Sequence, residues 1–161
     1  MASFELTCIV HTHASAASLP DAEQALVLAA RKALDSAYAP YSQFQVGAAL
    51  LLENGAVVSG SNQENAAYPS GLCAERVAFF SAGSQHPNIP ILSVAITTSY
   101  PLAQPVSPCG ACRQVMAEYE LKQDQPIRVI LVAHDGSIMV LDRVRDLLPM
   151  YFSGEWLRDR K

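Results

Sequence analysis

The chain has 161 residues, with eleven basic and fifteen acidic side chains and a formal net charge of −4. It carries no lysine- or arginine-rich stripe that would track a phosphate backbone, which speaks against a nucleic-acid polymer as partner. Half of the residues are hydrophobic and 16% are charged, a mixture too apolar for a disordered chain.

Residues 1–19 are expected to be an N-terminal extension. Phe4 to Val10 alternates weakly, as an edge strand would, and His11 to Ser18 is a connector of small and polar residues in which the two histidines are solvated. Pro20-Asp21 opens a helix whose apolar face, drawn from Ala22, Leu26, Ala29 or Ala30, Ala33 and Leu34, runs towards Tyr38 before Pro40 ends it. Phe44 to Glu53 reads as an apolar strand, Asn54-Gly55 as a hairpin turn, and Ala56 to Gly60 as the returning strand. A polar loop, 62–71, leads to a helix from about Cys73 to Gly83. Ile91 to Thr98 follows as a buried strand, and a further helix runs from Cys109 or Gly110 to about Leu121. Ile127 to Ala133 is another buried strand, turned by Asp135-Gly136 into Ser137 to Leu141; Asp142 caps a short last helix that Pro149 closes. Helices interleaved with strands predict an α/β fold whose sheet is covered on both faces and is at least partly parallel. Residues 20–152 form one domain, and 153–161 a short charged tail around Trp156. No apolar run approaches the ~20 residues of a membrane-spanning helix, and no secretory signal is evident, so a soluble cytoplasmic protein is the expectation.

The chemistry lies in the cysteines. There are four, Cys8, Cys73, Cys109 and Cys112, and their spacing reads as metal binding rather than as disulfides. Cys73-Ala74-Glu75-Arg76 and Pro108-Cys109-Gly110-Ala111-Cys112-Arg113-Gln114 together supply three thiolates and a carboxylate that is not needed as a ligand. Three protein ligands leave a tetrahedral zinc with an open corner, the arrangement of a catalytic site. Both clusters fall where a loop becomes a helix, and a helix N-terminus favours the thiolate. Residues three apart share a helix face, so Cys109 and Cys112 can converge on one ion. Glu75 is then placed over the open position. Three thiolates leave the metal with excess negative charge, and either Arg76 or Arg113 is positioned to donate N–H groups to sulfur; Arg76 is the expected tuning residue. A closed structural site would need a fourth ligand from Cys8, His11, His13, His86 or His134, none of which stands at a recognisable spacing. A redox dithiol at Cys109 and Cys112 is a further reading; it predicts a reversible disulfide and no bound metal.

These motifs closely resemble the small, homo-oligomeric class of zinc-dependent cytidine deaminases, over roughly Pro40 to Phe152. Zinc deaminases pair a C-x-x-C with one upstream ligand and an adjacent Glu. Pro40 to Leu50 is similar to the family's opening strand, Asn62 to Tyr68 to its ribose-binding segment, and Leu147-Leu148-Pro149 with Phe152 to its C-terminal signature. The resemblance implies a three-layer α/β/α sandwich around a five-stranded mixed sheet and one Zn2+ per subunit. It implies that Glu75 shuttles protons while metal-activated water attacks C4 of cytidine or deoxycytidine, releasing ammonia in pyrimidine salvage. By the same resemblance Asn62 and Glu64 bracket the 3′-hydroxyl, Phe44 lies against the pyrimidine and the Ala74 amide reads its carbonyl. A homotetramer with shared active sites is implied, with Phe152 as the lent aromatic and neither nucleic acid nor membrane as partner. The alternatives are a modified cytosine nucleoside as substrate, cytosine within RNA or DNA, and a zinc-stabilised binding protein without catalysis.

Overall fold

A computed structural model describes residues 1–154. Six strands form one sheet: β1 (His11–His13), β2 (Val46–Leu52), β3 (Val57–Ser61), β4 (Ile91–Thr98), β5 (Arg128–Val132) and β6 (Ile138–Leu141), in the spatial order β1-β6-β5-β4-β2-β3. Only β4 and β5 run parallel; the other neighbours are antiparallel. Three helices cover the sheet: α1 (Asp21–Ala33), α2 (Ala74–Gln85) and α3 (Gly110–Gln123).

The layers follow from the two-residue repeat of a strand, which sends successive side chains to opposite faces. Ala48, Leu50 and Leu52 of β2, Val94 and Ile96 of β4, and Val129 and Leu131 of β5 pack with Ala78, Phe79, Met116 and Ala117 of α2 and α3. Their alternates Ala49, Ala95, Ile130 and Val132 pack instead with Leu26, Val27 and Ala30 of α1. The result is the expected three-layer α/β/α sandwich. Two glycines admit the helices closely. A Cβ on Gly47 would lie 2.1 Å from the Ala30 carbonyl oxygen, and one on Gly60 would lie 2.5 Å from the Ala78 nitrogen and 2.6 Å from the Ala74 oxygen.

Five expectations are corrected. The sheet has six strands rather than five, because His11 to His13 pairs with Val140 to Ile138. The edge strand is therefore this segment and not Phe4 to Val10, whose residues are all exposed and outside regular structure. The histidines expected in a solvated connector are anchored: His11 Nε2 lies 3.4 Å from Asp142 and His13 Nδ1 2.9 Å from the Ser18 hydroxyl. The first helix ends at Ala33, followed by a 3₁₀ turn over Leu34–Ser36. The chain must be extended at Tyr38, which bridges Gln63, so the helix cannot reach it. Lastly, Asp142 does not cap the closing 3₁₀ turn, Val144–Leu147; its carboxylate faces Arg128 at 2.8 Å, and Arg143 stands at the cap position, its side chain turned to Asp146 at 2.7 Å rather than to the helix end. Of the tail around Trp156, residues 155–161 lie outside the described residues.

The N-termini of α2 and α3 and the last residues of β4 meet at one end of the sheet, where Ile96, Thr97 and Thr98 line a cavity. Open α/β sheets place their sites beyond the carboxyl ends of parallel strands for this reason.

Candidate metal centre and substrate cavity

Cys73 and Cys109 occupy the residues just before α2 and α3, each in extended conformation. Cys112 lies one turn into α3 and is buried, whereas Cys73 is half-buried and Cys109 exposed. Their sulfurs all lie within 4.8 Å of one another. Cys73 and Cys109 are 3.9 Å apart, Cys109 and Cys112 3.5 Å. Tetrahedral zinc with Zn–S bonds of ~2.3 Å requires sulfurs ~3.8 Å apart, so the triad fits that ion. Among the described residues no fourth histidine, cysteine or carboxylate joins the group, which leaves a corner for a non-protein ligand.

Electrostatics in the free thiol triad favour one thiolate first. Hydrogen bonding from Cys112, reinforced by Arg76 and Cys109, pulls the Cys73 thiol down to about 5. Cys112 is pushed strongly upward by Cys73 and by burial, since its ionisation would set a second negative charge beside the first. Arg76 donates from Nη2 to the Cys73 sulfur at 3.9 Å and to the Gly71 carbonyl at 3.3 Å. Arg113 faces elsewhere. Its Nε donates to the Pro108 carbonyl at 2.7 Å, Nη1 to the Leu147 carbonyl at 2.8 Å and Nη2 to the Ser107 hydroxyl at 2.9 Å.

Glu75, in the first turn of α2, is only 4% exposed yet lines the cavity. Burial, chiefly, raises its carboxyl to about 6. Its Oε2 has no hydrogen-bond partner among the described residues. A buried polar oxygen without a partner is costly unless something binds there. Ala74, fully buried, precedes it as the first helical residue, where backbone N–H groups lack intrahelical acceptors.

The cavity measures about 750 Å³ and is lined by Phe44, Asn62, Glu64, Cys73, Glu75, Cys109 and neighbouring residues. Asn62 and Glu64 reach the same wall, as their two-residue spacing predicts, and both brace the segment opposite. The Asn62 amide donates to the Phe44 carbonyl at 2.8 Å and accepts from the Val46 N–H at 2.8 Å. Glu64 accepts from the Tyr41 N–H at 2.9 Å, the Ser42 N–H at 3.3 Å and the Ser42 hydroxyl. The Ser42 hydroxyl, foremost, holds the Glu64 carboxyl below its ordinary value. Phe44 lies against Tyr100, ring centroids 5.8 Å apart. Phe152 is 72% exposed and does not line the cavity; Gln114 Nε2 holds its carbonyl at 2.8 Å. Ser42, Tyr100 and the carbonyl contacts of Arg113 were not foreseen. Each depends on a long-range pairing that no local pattern encodes, although Ser42 stands inside the Pro40 to Leu50 motif.

The model of the cytidine and deoxycytidylate deaminase zinc-binding region matches residues 20–125. A cytidine deaminase of Halalkalibacterium halodurans is 43% identical over 84% of this chain and 98% of its own. The crystal structure of a cytidine deaminase from Burkholderia pseudomallei superposes with a TM-score of 0.72, at 42% identity, over 80% of this chain and 97% of that one. A cytidine deaminase from Mycobacterium tuberculosis superposes at 0.66, with 33% identity, over 81% and 97%.

Proposed function

Because the chain belongs to the family of cytidine and deoxycytidylate deaminases, we propose that it hydrolyses the 4-amino group of cytidine and deoxycytidine to give uridine, deoxyuridine and ammonia. One observation carries the reading: a buried carboxylate, Glu75, with an unpartnered oxygen, lines the same cavity as two of three sulfurs set at zinc-ligand spacing. Cys73, Cys109 and Cys112 would hold one Zn2+ per subunit. Zinc, when bound, polarises a water and lowers its pKa so that it serves as a nucleophile near neutrality.

The protein's own residues do the rest. Glu75 would take one proton from the attacking water and deliver it to N3 of the pyrimidine as C4 becomes tetrahedral. It would then take the proton of the new C4 hydroxyl and pass it to the departing amine as the 4-carbonyl forms. A carboxyl raised towards neutrality by burial suits both halves of that exchange. Phe44, steadied by Tyr100, packs on the ring, and the Ala74 N–H donates to the ring carbonyl. Asn62 and Glu64 bracket the 3′-hydroxyl, which both sugars carry. Arg76 is the one cation among the described residues lining the cavity, and it is engaged by Cys73 and Gly71. A carboxylate, Glu64, lines the wall on the sugar side, so a neutral nucleoside suits this cavity better than a 5′-phosphate or a polymer.

Phe152, exposed on its own subunit, is the aromatic proposed to complete a neighbour's cavity in a homotetramer. Four free cysteines suit a reducing compartment, and we place the enzyme in the cytoplasm, in pyrimidine salvage. The test is the ultraviolet change on mixing the protein with cytidine or deoxycytidine. Conversion should be rapid, and Glu75→Gln should retain zinc while losing at least about 10³-fold in turnover. An inert wild-type protein with zinc bound would refute the proposal.

A further inference from the structure

Two consecutive side chains after the ligand Cys112 hold the C-terminal segment: Arg113 grips the Leu147 carbonyl and Gln114 the Phe152 carbonyl. The same guanidinium holds Ser107 and Pro108, the two residues before Cys109. Cys109 is the exposed one of the three thiols.

The far end of this connection is also built. Glu120, on α3, has a side chain with 0% exposure. Its carboxylate accepts from the N–H groups of Ile127 at 2.9 Å, Val144 at 2.7 Å and Arg145 at 3.2 Å, and from Arg145 Nε at 2.9 Å. Every one of these contacts fixes the start of β5 or the 3₁₀ turn 144–147, whose last carbonyl, that of Leu147, is the acceptor for Arg113. Glu120 touches neither the sulfurs nor the cavity.

We propose that Arg113 and Glu120 are positioning residues that join the metal loop to segment 147–152, so that metal binding and ordering of that segment reinforce each other. The inference rests on the zinc reading of the proposed function. A planar guanidinium is required for it: three acceptors in three directions suit the fork of arginine, and an ammonium on a lysine stem cannot reach all three. Coupling of this kind is reciprocal, so what loosens the turn must loosen the metal.

The experiment follows zinc release from the loaded protein to excess EDTA, well below the melting temperature of each variant. Arg113→Lys keeps the charge and loses the fork; it should speed release about tenfold or more, within the range seen for residues that support metal ligands. Glu120→Gln, remote from the metal, should speed it as well, and the double variant should be no faster than Arg113→Lys. Hydrogen exchange at 147–152 should slow on zinc binding in the wild type and lose that response in Arg113→Lys. Ser107→Ala, which removes one of the three acceptors, gives a graded version should Glu120→Gln fail to fold. Release at the wild-type rate in Arg113→Lys, or multiplied rates in the double variant, would overturn the inference alone. A wild-type chain that takes up no zinc would overturn the proposed activity as well.

Discussion

The starts of α2 and α3 are alike in sequence and opposite in use. Each has a cysteine at the cap and an arginine in the opening turns, and each points its N-terminus at the same cavity. The arginines differ by one place. Arg76 stands three residues after Cys73, whereas Arg113 stands four after Cys109, and one residue is a rotation of ~100° about a helix. The third position faces sulfur in both helices, taken by Arg76 in α2 and by Cys112, itself one of the three sulfurs, in α3. Arg113 is turned away, onto carbonyls of the loop and the C-terminal turn. One helix start thus sets an arginine beside sulfur and a buried carboxylate in the cavity, and the other turns its arginine onto the loop and the C-terminal turn.

That contrast breaks most sharply at the third position itself. Cys112→Ala should abolish stoichiometric zinc and all turnover, read by elemental analysis beside the ultraviolet assay. Substituting the other occupant, Arg76→Gln, should leave zinc bound and lower kcat by about 10- to 100-fold, because the thiolates then lose a partner that offsets their charge. Unchanged kcat in Arg76→Gln would show that the two third positions are not equivalent after all.

Seating offers a milder test. α2 rests on β3 at Gly60, where an added methyl would meet backbone atoms of Ala74 and Ala78. Gly60→Ala should cost about 1–3 kcal/mol of stability by overpacking, seen in thermal melts, and should displace the Glu75 turn while leaving the Arg113 contacts intact. The smallest effect lies at the cavity entrance. The folded-state pKa of Glu64 is depressed below 4.5, so its bracing of Tyr41 and Ser42 is fully present above the ordinary glutamate value. It is lost as pH falls through the lowered one. Hydrogen exchange at residues 41–44 should therefore rise only on acidification below that range and stay flat above it; Glu64→Gln should remove the pH dependence.

Much of this was legible in the chain. Ile91–Thr98 shows a continuous apolar run between breakers, and the strand has those bounds. The hairpin at Asn54-Gly55 needs a residue in left-handed conformation, and Gly55 provides it at φ 82°. The convergence of the three cysteines was legible because C-x-x-C at a helix start has only one face on which to converge. What escaped depends on partners distant in sequence. Asp142 looked like a cap because capping is local, but Arg128 and His11 compete for its carboxylate. Glu120 resembles any helix-surface glutamate until β5 and the 3₁₀ turn close over it. Arg76, by contrast, was already the expected donor to sulfur, and the helical phase that separates it from Arg113 accounts for that choice.

The sixth strand carries a consequence for the life of the molecule outside its chemistry. Without His11–His13, the rim of the sheet would be β6, Ile138 to Leu141, four apolar residues with an unpaired row of backbone donors and acceptors. Such a rim recruits strands from other chains. A three-residue cover of His-Thr-His is too short and too polar to pass that invitation on. The N-terminal strand is in this sense a guard on solubility, and a chain shortened past His13 should lose dispersion in concentrated solution before it loses any part of its cavity.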